Sequence, residues 1–93
     1  MERVLASPSL TTSGLVGGAS SSSVYHGYTV TVVTATGAIN IRKGSASGQI
    51  VDVIPAATAV GTTKSLGHGL QCEGGIYVEF NGGATGTVVI HYE

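Results

Sequence analysis

The nitrogen and sulfur ligands this chain offers a metal ion are His26, His68, His91 and Cys72. A structural zinc site needs its ligands in two close pairs, so that each pair closes on the ion from one turn of chain. No such double pair occurs. His68 and Cys72 stand four apart, but Gly67 and Gly69 argue against a helix that would present both on one side. The spacing points to loop histidines and a buried thiol, and neither a metal nor another cofactor is expected.

The carboxylates are Glu2, Asp52, Glu73, Glu79 and Glu93. A general acid and base pair needs two carboxyl groups in one cleft. Asp52 and Glu79 fall in strand-like segments and could face each other. The plainer reading is that they are solvent-facing charges that discourage edge pairing. The segment Gly44–Gly48, GSASG, echoes a nucleophile elbow, but Ala46 holds the nucleophile's position and a strand–helix setting is missing. No phosphate-cradling G-x-x-x-x-G-K-[ST] occurs either. Tyr25, Tyr28, Tyr77 and Tyr92 are the residues for a sugar-stacking platform, although Trp, the better residue, is absent. Tyr28 and Tyr92 read more simply as caps on a core, with hydroxyls reaching water. No catalytic residue is assigned, and the chain is not expected to be an enzyme.

The elements that position these residues are strands. VYHGYTVTVVTAT, from Val24, is rich in β-branched residues and Tyr. Period-two alternation puts Tyr28, Val30 and Val32 on one face and Thr29, Thr31 and Val33 on the other. Gly27 marks a bulge or a bend. In AINIRKG, Ile39 and Ile41 oppose Asn40 and Arg42, and Lys43 to Gly48 is a polar loop. QIVDVIP is closed by Pro55, which lacks the N–H a ladder needs. There Ile50, Asp52 and Ile54 oppose Val51 and Val53, and either face suits the core. Ala56 to Val60 is too short for a helix before Gly61, so a loop and a short strand near Thr62 to Leu66 are expected. In IYVEF, Ile76, Val78 and Phe80 point in while Tyr77 and Glu79 point out. Asn81-Gly82-Gly83 then suits a tight hairpin. The last strand sets Val88, Ile90 and Tyr92 against Thr87, Val89 and His91. Val24 to Thr34 and Thr85 to Tyr92 are expected to pair as central neighbours.

Six or seven strands with turns between them and no helix predict an all-β domain, a small antiparallel β-sandwich or jelly-roll-like barrel. Residues 1–23 read differently. The first ten suit an arm or short edge strand, and Thr11 to Ser23 has the Gly/Ser/Thr composition of a flexible linker. The expected division is a flexible N-terminal arm over 1–23 and a β-sandwich domain over 24–93.

A chain of 93 residues is one domain, and at 9.3 kDa folding buries only roughly 63% of its extended surface. Fifteen glycines, about twice the usual share, raise the entropy lost on folding. A lone monomer is marginal on these terms, and association is the natural remedy. Four basic and five acidic residues leave a net charge of −1, with no basic patch for phosphates, so no nucleic-acid partner is expected. No basic amphipathic helix suits a membrane surface, and no apolar run approaches the roughly 18 residues of a membrane span. Cys72 is the only cysteine, which fits folding in a reducing cytoplasm. MERVLASPSL lacks the layout of a signal peptide.

The segments INIRKGSASGQIVDVIPAATAVGTT and CEGGIYVEFNGGATGTVVIHYE resemble small bacteriophage virion proteins of the capsid decoration, or cement, type. The likeness runs from Ile39 to Tyr92. It rests on an I-N-I-R strand before a Gly/Ser loop, an I-P-A-x-T strand end, a G-I-Y-V strand and a glycine-rich turn into G-T-V-x-V. The resemblance implies a compact β domain, favoured as a homotrimer, on the outside of the phage head, clamping neighbouring copies of the major capsid protein. It implies a location in the virion, assembled in the host cytoplasm, and carries no catalytic residues. An arm that orders on a neighbour would fit that role, as would strand edges near Val4 to Ser7 or His91 to Glu93 that extend a sheet across a subunit boundary. The alternatives are a tail, fibre or head–tail joining component, or a glycan-binding module of the virion.

Overall fold

A computed structural model describes residues 5–16 and 23–93. The described residues form eight strands: β1 (Leu5–Ala6), β2 (Gly14–Val16), β3 (Ser23–Ala35), β4 (Ile39–Lys43), β5 (Ile50–Ile54), β6 (Thr63–Cys72), β7 (Ile76–Phe80) and β8 (Thr85–Tyr92). They make two antiparallel sheets of four, in the orders β1-β8-β3-β6 and β2-β7-β4-β5.

The pairing has a simple logic. β1 pairs with β8, β2 with β7, β3 with β6 and β4 with β5, so the chain is one long hairpin doubled back on itself. The further pairs β3–β8 and β4–β7 roll that hairpin into two facing layers. This nested order is the double Greek key of a jelly roll. The expected β-sandwich is therefore the fold, and the expected pairing of the Val24 and Thr85 segments lies at the centre of the first sheet.

The core lies between the layers. Val30, Ile39, Ile41, Ile54, Ile76, Val78, Val88 and Ile90 have no exposed surface. They come from strands whose alternation sends every second residue inward. Truncating one of them, for example Ile41→Ala, costs about 2–5 kcal/mol through lost burial and the cavity left behind.

Several expectations are corrected. Leu5–Val16 is not an arm detached from the body. Ser7 N–H donates to Ile90 O at 2.8 Å, and Leu10 exchanges hydrogen bonds of 2.8 and 3.1 Å with Val88. Phe80 N–H donates to Ser13 Oγ at 2.9 Å. The physical reason is that β7 and β8 each have a second ladder edge to satisfy, and this segment satisfies it. The remainder of the expected linker, 17–22, lies outside the described residues, as do 1–4. Because β8 is flanked on both sides, His91 is an interior ladder residue, pairing with Ala6 and Gly27. Of the two edges expected to extend a sheet, Leu5–Ala6 is one and His91–Glu93 is not.

Bulges break the alternation in β3 and β5, and the β3–β6 ladder is irregular between Tyr25 and Gly27. In β3 the register shifts between Val30 and Val32, and Val32 turns out to 50% exposure while Thr34 is buried. In β5 the shift opposite Ile41 and Arg42 sends Ile50 outward and packs Val51 against the core. Asp52 and Ile54 remain on the inner side. The Thr62–Leu66 strand is longer than expected, reaching Cys72. Gly82 and Gly83 of the Asn81-Gly82-Gly83 turn adopt positive φ, but β7 and β8 lie in different sheets, so the turn passes the chain between layers instead of closing a hairpin.

Candidate functional site

At the open side where edge strand β5 meets edge strand β6, Asp52 joins the two sheets. The Tyr25 hydroxyl, from β3, donates to Asp52 Oδ2 at 2.7 Å. Lys64 Nζ, from β6, donates to Asp52 Oδ1 at 2.8 Å, and the Val53 N–H donates to the same oxygen at 2.9 Å. Burial, then the bond to Asp52, pushes the Tyr25 hydroxyl far above its ordinary ionisation range. The same carboxylate holds Lys64 charged beyond its usual range. Tyr25 and Lys64 are thus both moved away from neutral titration, which makes the trio a fixed strap between layers.

Glu79 lies on the outer face of the second sheet. It accepts from Asn40 Nδ2 at 2.9 Å and Arg42 Nε at 3.1 Å, bonds that hold its carboxyl below the usual range. Arg42 Nη1 also donates to Gly48 O at 2.8 Å, which ties down the polar loop. Asp52 and Glu79 therefore do not face each other. Asp52 is level with Ile41 and Val78 in the ladder, and Glu79 is one residue further, on the opposite face.

The expected metal-type residues are also apart. His26 Nε2 lies 2.7 Å from Glu93 Oε1 and its Nδ1 lies 3.2 Å from Leu66 O. His91 Nε2 is 3.0 Å from Thr29 Oγ1. His68 is exposed, and Cys72 is buried, with burial raising its thiol. No group of three or more metal-type ligands gathers among the described residues. Of the tyrosines, Tyr25 and Tyr28 are core residues, while Tyr77 and Tyr92 are half-buried on different sheets. They form no shared platform, because two of the rings are packed into the core and the other two lie on different sheets. Ser45 and Ser47 are exposed in the β4–β5 loop and bond to each other at 3.2 Å. Glu73 is exposed in a turn, and Glu2 lies outside the described residues.

The feature that the sequence reading missed is the distribution of exposed apolar side chains. Each edge strand carries at least one: Leu5 on β1, Leu70 on β6, Leu15 on β2, and Ile50 and Val53 on β5. Three more, Val32, Val33 and the 63% exposed Val60, sit where the end of β3 runs beside the β5–β6 loop. That loop is bound there by Gly61 N–H to Val30 O at 2.8 Å and Val30 N–H to Thr62 O at 2.8 Å. An apolar edge beside unpaired ladder groups can accept another strand or a packed neighbour. No family model, curated protein or solved structure matches the chain.

Proposed function

We propose that this chain is a non-catalytic structural protein of a virion, a capsid decoration protein. In this reading it binds the outside of a phage head as a homotrimer and clamps neighbouring major capsid subunits. The observation that carries the reading is the placing of Leu5, Leu15, Ile50, Val53 and Leu70 on the four edge strands. Edges that are apolar and unpaired are liabilities in a solitary protein and contact surfaces in an assembly. The strand order adds an analogy at the level of fold, since viral shell domains are among those that use the jelly roll. The low charge adds a surface suited to an assembly, with 10% charged residues and a mean hydropathy of +0.34. Repeated over a lattice, individually weak edge contacts give high avidity.

The test is co-sedimentation with empty, expanded shells built from the major capsid protein of the same virus. Saturable binding that Val53→Lys weakens supports the proposal. Absence of binding to those shells, with binding to tail or fibre components instead, replaces it with the tail reading.

A further inference from the structure

We propose that His26 and Glu93 form a proton-dependent latch that ties the β6 bulge and the end of β8 to β3.

The geometry begins with an irregular ladder. Tyr25 pairs with Leu70 and Gly27 with Ser65, so Leu66, Gly67, His68 and Gly69 stand opposite His26 alone. The His26 side chain fills this gap. Its Nδ1 is 3.2 Å from Leu66 O in the bulge, and its Nε2 is 2.7 Å from Glu93 Oε1. Gly69 makes the room: a Cβ there would lie 3.0 Å from His26 Cε1, and its φ of +73° is one that side chains resist. Glu93 is itself fixed by backbone bonds of 2.9 and 3.0 Å with Val24.

The proton count follows from what each partner can do. A carbonyl oxygen only accepts, so Nδ1 must carry a hydrogen to bond Leu66. Neutral imidazole has one N–H, and an ionised carboxylate has none. The contact between Nε2 and Oε1 therefore needs one further proton, whichever of the two atoms holds it. Both bonds exist together only while the site keeps that proton. When it leaves, either the bulge or the Glu93 side chain is released.

Among the described residues, the other titratable groups on the adjoining strands are turned to different partners. Lys64 on β6 and Tyr25 on β3 are bonded to Asp52, and His91 on β8 to Thr29. Tyr28 and Tyr92 pack on the core, and His68 in the bulge is exposed. His68 thus provides a reference histidine within the same chain.

The test is a proton NMR titration of the three histidine rings in the whole protein, with wild type and Glu93→Gln compared. The latch predicts that His26 titrates about one pH unit or more above His68, and that Glu93→Gln brings it back toward His68. It also predicts that the folding equilibrium constant falls by about tenfold as pH rises through that midpoint in wild type and by much less in Glu93→Gln. The sign is that of a histidine stabilised in its protonated form: full effect below its unfolded value, lost above its folded one. A His26 midpoint at or below that of His68, or one unmoved by Glu93→Gln, overturns the latch. The wild-type titration decides even if the variant fails to fold.

Discussion

The Tyr25 hydroxyl and the Asp52 carboxylate, 2.7 Å apart, join two sheets that share no ladder at that edge. The ring is fully buried and the carboxylate belongs to an edge strand. Removing only the hydroxyl, as Tyr25→Phe, keeps the packing and deletes a bond to a charged acceptor. The expected loss is about 1.5–3 kcal/mol in urea unfolding. Lys64→Met acts on the exposed side of the same carboxylate, its side chain being 44% exposed, so less than about 1 kcal/mol is expected there. Equal losses in the two variants would deny the strap its buried character.

Stability at high pH follows from the same trio. Tyr25 and Lys64 both have folded-state ionisation raised above the unfolded value. Their contribution is whole below the unfolded values, at about pH 10, and is lost as pH climbs above them. Unfolding monitored against pH should therefore turn sharply downward above about pH 10, and Tyr25→Phe should soften that turn. On the acid side Glu79 has the opposite sign. Its depressed ionisation, set first by Asn40 and then by Arg42, adds stability above the ordinary carboxylate range and loses it as pH falls. Asn40→Ala should flatten that acid limb.

Gly27 and Gly67 provide a contrast in backbone tolerance. At Gly27, φ is +128° and an added Cβ would lie 1.9 Å from the Lys64 carbonyl oxygen, so Gly27→Ala should break the β3–β6 ladder and unfold the protein at room temperature or near it. At Gly67 nothing lies within 4 Å. Gly67→Ala should be neutral or should stabilise by about 0.4–1 kcal/mol, through the unfolded chain. Thermal melts of the two variants check both.

Cys72 should be chemically silent in the folded state. It has no exposed surface, and burial raises its thiol, so little thiolate is present near neutral pH. A thiol reagent should label it at the rate of unfolding and should label the denatured chain at once. Prompt labelling of native protein would contradict the packing around β6.

The inner residues of β4, β7 and β8 were legible because simple alternation runs through them: Ile39 and Ile41, Ile76 and Val78, Val88 and Ile90. Val32 was misplaced, and the inner face of Ile50–Ile54 was left open, because a bulge leaves no mark in a run such as VTVV or QIVDV, where both faces are apolar. The first ten residues read as an arm or short edge strand and Thr11 onward as a linker, because the pairing up to Val16 is carried by few residues, Ser7, Leu10 and Ser13 among them, whose bonding depends on distant strands. The same holds for Asp52. Its sequence neighbours suggest a surface charge, and only the approach of β3 and β6 gives it the Tyr25 hydroxyl and Lys64 ammonium. Edge position is a property of topology, so the apolar edge residues could not be told from core residues by period alone.

The central claim is that the apolar strand edges hold this protein against its neighbours. Light scattering of the purified chain over a range of concentrations tests it most directly. The account predicts a mass near three times the 9.3 kDa of one chain, falling toward 9.3 kDa when Ile50 and Val53 on the β5 edge are replaced by lysine. A wild-type mass of 9.3 kDa at every concentration would contradict it.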